Sequence, residues 1–189
     1  HQGYEELHEA ASIEDEEFRS KTSVHYVDRI IPWLEQHKDV PFFACLHVFD
    51  PHSPYRPRPP YDTIWGRAED KKRGEEIEKD IKKHDVKNVF GLPFKDDYAE
   101  KTGNDPEELL RMFSDWYDGS IRGMDVEMGR LFKALKEMGI DDDTLIVFSS
   151  DHGEELWEHG RFFHSHTVYG ELSQVPLIFR WPGNPNFRK

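Results

Sequence analysis

The sequence predicts an α/β fold with a mostly parallel sheet flanked by helices. Three observations carry that prediction: the almost unbroken apolar run FFACLHVF at 42–49, a long helix-patterned stretch behind Asp105-Pro106, and the short apolar runs TLIVF (144–148) and VPLIFRW (175–181). Runs that are apolar at consecutive positions suit strands buried on both faces. Strand, long helix, strand is the crossover unit of a parallel sheet.

Taken in order, the first element is an amphipathic helix near residues 20–38, where Val24, Val27, Ile31 and Leu34 recur at helical spacing behind Ser20 or Thr22 as a candidate cap. Pro32 is expected to kink it. The strand at 42–49 ends at DPHSPYRPRPPYD, whose prolines prevent a regular continuation. Inside that strand Cys45 reads as a small buried hydrophobe, and His47, alternating with Phe43 and Cys45, reads as a hydrogen-bonded core residue rather than a ligand. From Gly66 to Asp85 the chain is a dense mixture of charges, expected as a solvated helix or mobile insertion within an insertion or specificity loop spanning 63–104. The third helix is the strongest. Leu109, Phe113, Trp116, Ile121, Met124, Met128, Leu131, Leu135 and Met138 step mostly by three and four residues, Pro106 suits the first turn, and Gly139 supplies the stop.

Composition excludes several functional classes. Of 189 residues 36% are apolar and 13% aromatic, enough for a packed core, and no apolar run nears the ~20 residues that cross a bilayer. A formal charge of −13 argues against a nucleic-acid partner, since phosphate binding needs a basic face. The single Cys45 rules out an internal disulfide framework, and one cysteine fits reducing and oxidising compartments alike, so localisation stays open. The opening HQGYEELHEAAS lacks the basic start and apolar block of a secretion signal.

The chemistry concentrates in SSDHGEELWEHG, which follows the strand TLIVF. Ligands of open α/β sheets gather beyond the carboxyl ends of strands, where Asp151 and His152 fall. A hard carboxylate beside an imidazole makes half of a cation site, provided the backbone turns there, and Gly153 permits a turn. His47 and His52 leave the end of the first strand; His152, His159, His164 and His166 follow the second. Both segments should converge on one crevice, where imidazoles can ligate a metal, donate to an anion or pass a proton. Glu154 and Glu158 are expected to orient neighbours, Asp125 to be structural, and Arg56, Arg58 and Arg161 to add positive potential over the crevice or to lie in solvent.

In order along the chain, PFFACLHVFDPHSPYRPRPPYD, WYDGSIRGMDVEMGRLFKALKEMGIDDDTLIVFSSDHGEELWEHG and HSHTVYGELSQVPLIFRWPG resemble the later part of the catalytic domain of sulfatases, in the alkaline phosphatase superfamily. The resemblance implies an alkaline-phosphatase-like fold, here a partial domain over 1–189, and a metal-dependent sulfuric ester hydrolase acting on a small-molecule or glycan sulfate ester. It implies Asp151 and His152 as metal ligands, for calcium or alternatively magnesium or manganese. His52 and His166 are implied as catalytic, and His52, His164 and His166 as substrate-binding, with Arg161 expected beside them because it lies near these motifs. The formylglycine signature Cys-x-Pro-x-Arg and the early aspartate pair of the family have no match here; both are expected from the remainder of the same catalytic domain, and this chain alone is expected to be inactive. The same machinery would serve a phosphate or phosphonate monoester hydrolase or transferase. A non-catalytic domain that kept the fold is the third reading.

Overall fold

The computed structural model describes residues 5–7, 17–18, 20–84 and 94–186. Its elements are helices α1 (Ser23–His37), α2 (Asp70–Lys83), α3 (Phe94–Thr102), α4 (Pro106–Glu137) and α5 (Gly170–Ser173), with strands β1 (Ile146–Ser149), β2 (Glu155–Leu156), β3 (Phe162–Phe163) and β4 (Leu177–Arg180).

Helix α4 is the organising rod. It runs 32 residues, close to 50 Å at about 1.5 Å per residue, and begins and ends where the sequence says it should. Asp105 caps it by accepting the Glu107 N–H at 3.0 Å, and Gly139 ends it at φ +76, a conformation glycine takes without strain. Its N-terminal half carries Leu109, Met112 and Trp116 into a cluster with Tyr55, Ile77, Tyr98, Trp157 and Phe162. Its C-terminal half buries Ala134 and Leu135, and α1, which buries Val27 and Leu34, packs on α4.

Helix α1 begins within the expected range and continues through Pro32. Thr22 stands at its N-cap position, but neither its side chain nor that of Ser20 caps the helix. The Asp50 carboxylate reaches back from the far side of the apolar run and accepts from the Thr22 and Ser23 N–H groups at 2.7 and 3.0 Å. An anion at the amide-rich end of a helix satisfies donors that would otherwise be orphaned. The charged stretch 70–83 is a helix, but one of its faces is interior. Ile77 is buried, and Asp70 is buried on Arg111 of α4 with oxygen–nitrogen distances of 2.6 and 3.0 Å.

Two expectations about the apolar run at 42–49 need correction. No strand is assigned from 41 to 49, and Phe43, Cys45 and His47 are exposed rather than buried. His47 therefore is not a core residue; its ring lies 5.1 Å from that of Phe49. A strand exists only through the partner that takes up its N–H and C=O groups, and among the described residues no ladder reaches this one. The strand pairs that do form are antiparallel. Strand β1 pairs with β4 in the register Val147↔Phe179, and β2 with β3 in the register Leu156↔Phe162, so the anticipated parallel crossover is absent as a ladder within the described residues. Helices and strands are mixed along the one chain, with α1–α4 preceding β1–β3 and α5 separating these from β4, and β1 ends at Ser149, two residues before Asp151.

Candidate active site

Three segments build the site: the loop 50–54 after the apolar run, the end of β1, and the stretch from β2 through β3 to α5. The loop 50–54 is tied to α1 at two points. Asp50 caps the helix, and the Lys21 ammonium donates to the carbonyls of His52 and Pro54 at 2.7 and 2.8 Å. At the end of β1, Gly153 is needed for close approach rather than for a special backbone angle. Its N–H donates to Leu172 O at 2.9 Å, and a Cβ there would lie 1.9 Å from Glu171 O.

These constraints bring three imidazoles into a row. His164 stands between the other two, stacked on His152 with ring centroids 4.0 Å apart and edge-on to His52 at 5.1 Å. In each ring Nδ1 is occupied: with Ser53 O at 2.6 Å for His52, with Gly153 O at 2.7 Å for His152, and with the Glu154 carboxylate at 2.9 Å for His164. A carbonyl can only accept, so Nδ1 carries the proton in His52 and His152. That leaves Nε2 of all three as the nitrogens without a hydrogen bond among the described residues. His164 is flanked by Phe163 at φ +74 and Ser165 at φ +70, backbone conformations that cost energy in non-glycine residues and that cluster at functional sites.

His166 sits differently from the other expected site histidines. Its side chain is 2% exposed, with Nδ1 on His164 O at 3.0 Å and Nε2 on the fully buried Glu155 at 2.9 Å. Both ring nitrogens are engaged, so the residue props the His164 loop from beneath. Arg161 contributes its carbonyl to the turn, accepting from Trp157 N at 2.8 Å, and no contact joins its guanidinium to the imidazole row among the described residues. Arg56 lies over the Trp116 ring and Arg58 over that of Phe18. Glu154 is almost fully buried, beside the phenols of Tyr55 and Tyr117; burial first, and this carboxylate second, push both phenols upward. Glu158 accepts from the Leu156 N–H at 2.7 Å.

Asp151 and His152 fit two ligands of one cation. The Asp151 side chain is 72% exposed, and its Oδ1 lies 3.8 Å from His152 Nε2. Two donors each about 2.0–2.6 Å from a shared ion fall within such a span. Because Gly153 O holds Nδ1, the nitrogen aimed toward Asp151 is the one with a lone pair.

Sequence reasoning missed a second cluster. Glu155, His159 and Glu171 place a carboxylate oxygen, Nδ1 and a further carboxylate oxygen within 4.8 Å of one another, with His159 Nδ1 2.6 Å from Glu171 and the ring stacked on Tyr169. The four-residue spacing of Glu155 and His159 was the available signal, but Glu171 comes from α5 and no local pattern announces it.

Comparison with known proteins gives the arrangement its context. The family model described as Sulfatase matches residues 8–186. The multifunctional alkaline phosphatase superfamily protein PehA of Trinickia caryophylli is 30% identical over 173 residues, covering 85% of this chain and 32% of that protein. An endo-4-O-sulfatase of Bacteroides thetaiotaomicron is 26% identical over 169 residues, covering 85% and 28%. Among solved structures, the phosphonate monoester hydrolase of Agrobacterium radiobacter superposes with a TM-score of 0.63 at 27% identity, covering 87% of this chain and 34% of that one. A putative sulfatase of Bacteroides fragilis does so at 0.58 with 21% identity, covering 87% and 31%. These likenesses establish the α/β fold as that of a partial alkaline-phosphatase-like domain, and the chain spans about a third of the length of the relatives it matches. With the family model reaching across nearly the whole chain and the imidazole row lying beyond the end of β1, the chain belongs to the sulfatase family.

Proposed function

We propose that the full-length protein hydrolyses a sulfate ester of a small molecule or glycan. The observation that carries this reading is the row His52, His164 and His152, each with Nδ1 occupied and Nε2 left over, running up to Asp151 in a chain of this family. Asp151 and His152 would hold a divalent cation, most simply calcium, with magnesium or manganese as alternatives; when bound it would supply electrostatic stabilisation of the sulfate's anionic oxygens.

The chain's own residues then divide the work. His52 or His164, in the doubly protonated form in which Nε2 also carries a hydrogen, hands that proton to the alcohol oxygen as its bond to sulfur breaks. Glu154 holds His164 in orientation. His166 and Glu155 form the buried support beneath, which turns the second expected catalytic histidine into a positioning residue. Arg161, on the β2–β3 turn, would add positive charge toward the sulfate. Residues 63–104 would serve as the specificity segment. The nucleophile and further cation ligands are assigned to the remainder of the same domain.

A second reading, hydrolysis of a phosphonate or phosphate monoester, is favoured by the fit to the Agrobacterium radiobacter phosphonate monoester hydrolase. One experiment tests both. The full-length protein is assayed on paired aryl sulfate and aryl phosphonate esters with added calcium, beside Asp151→Ala, with cation affinity read separately by calorimetry. Faster sulfate turnover, abolished together with tight cation binding in Asp151→Ala, is expected. Preference for the phosphonate installs the second reading, and unchanged cation affinity in Asp151→Ala refutes the ligand assignment.

A further inference from the structure

We propose that Lys21 is a positioning residue for His52, acting through the two carbonyls it holds in the loop that carries this histidine. The inference rests on the reading of His52 given above. Lys21 is 2% exposed, unusual for an ammonium outside an ion pair. Its three N–H groups have three acceptors: Ser20 Oγ at 2.9 Å, His52 O at 2.7 Å and Pro54 O at 2.8 Å. An ammonium donates three hydrogen bonds and no more, so the tripod is complete.

The pattern along the loop ties that tripod to the ring. The carbonyls of residues 52 and 54 point to Lys21, while the carbonyl between them, Ser53 O, accepts Nδ1–H of His52 at 2.6 Å. Fixing the outer two fixes the middle one, and the middle one sets the imidazole plane, edge-on to His164, and leaves Nε2 without a hydrogen bond among the described residues. The same α1 N-terminus anchors the loop's start, where Asp50 accepts from Thr22 N, Ser23 N and Ser23 Oγ. Burial costs the Lys21 charge enough to bring the group down to about 8, with Asp50 opposing and Arg58 adding to the effect. A plain surface contact would not sustain that cost. The ordered loop is what it maintains.

A positioning role predicts a particular kinetic trace. If His52 protonates the departing oxygen, tilting its ring harms poor leaving groups most, because they depend most on the proton. The test measures turnover of the full-length protein, Lys21→Met and His52→Ala on aryl sulfates whose phenols span several pKa units. Lys21→Met is expected to lose turnover by about 10-fold or more on the poorest leaving group, the scale seen when an orienting partner is removed. The loss should shrink steadily toward the best leaving group, with KM unchanged, and His52→Ala should show the same trend more steeply. A uniform loss or none in Lys21→Met, beside a sloped profile in His52→Ala, overturns the role of Lys21 alone. Flat profiles in both overturn the role of Lys21 together with the reading of His52. Should Lys21→Met not fold, Lys21→Arg keeps the charge but not the three-point ammonium geometry. The same sloped loss is expected of it, and a wild-type profile overturns the proposal.

Discussion

Glu154 accepts the Nδ1–H of His164 at 2.9 Å from a site that is itself almost sealed from solvent. This pair orients the middle ring of the row, because His164 has His152 stacked on one side and His52 edge-on at the other. A carboxylate fixed behind an imidazole sets its tautomer and its orientation.

Glu154→Gln should therefore lower turnover of the full-length protein without unfolding it, since the amide keeps the volume and an acceptor oxygen but loses the charge. His164→Ala should cost more, about 100-fold, the usual scale for removing an acid–base group. Steady-state assays with paired melting curves measure both, and full activity in His164→Ala would remove this histidine from the chemistry.

His166 and His47 reverse the roles that sequence position suggests. His166 is interior and bonds one oxygen of the fully buried Glu155, whose other oxygen accepts from the His159 N–H, so His166→Ala leaves one buried acceptor without its partner and should destabilise by about 1–3 kcal/mol. His47 is exposed beside Phe49, and His47→Ala should change stability within about 0.5 kcal/mol, as surface substitutions do. Thermal and denaturant melts decide the matter; a large loss at His47 with none at His166 would contradict the burial of both.

Particular residues show what was legible in the sequence. Asp105, Pro106 and Gly139 delimit α4 because caps and stops act within a few residues of chain, and Asp151-His152 could be set at a strand end because β1 is a local apolar run. The failures are non-local. Whether 42–49 pairs depends on strands elsewhere, so its apolar pattern could not show that Cys45 would be exposed. Lys21 reads as one more surface lysine until the chain folds 31 residues of sequence back onto it. The interior face of α2 was hidden for a similar reason: Asp70 looks solvated in a charge-rich stretch, and only the Arg111 guanidinium, 41 residues later, makes its burial tolerable.

Lys21 also gives a pH signature of stability. Its folded value of about 8 lies below the ordinary lysine value of about 10.4. Between the two the unfolded chain binds more protons than the folded one, so through this group stability rises as pH rises across that window; below it the buried charge is a constant cost. Denaturant melts of the full-length protein and of Lys21→Met at several values across this window should show a positive slope in the former that flattens in the latter. Equal slopes would mean that the lysine titrates as if exposed.

The last prediction concerns residues 1–189 produced alone. Two cation ligands, Asp151 and His152, are too few, since calcium takes about six to eight oxygen-type ligands and structural zinc about four. Cation binding should therefore be weak, on the order of millimolar, as at sparsely ligated sites. Activity should be absent, because the proposed nucleophile belongs to another part of the domain. The sheet adds a second consequence. Strands β1 and β4 pair only with each other among the described residues, and Val147, Leu177, Ile178 and Phe179 are exposed at 53%, 62%, 56% and 48%. Phe43 of the run 42–49 is exposed at 75%. Apolar side chains beside unpaired strand edges are a template for association with another chain. The isolated segment should thus elute from size-exclusion chromatography as concentration-dependent oligomers and show no turnover of an aryl sulfate with added calcium. A monodisperse, active monomer would place a nucleophile within these residues and a closed sheet where the structure leaves it open.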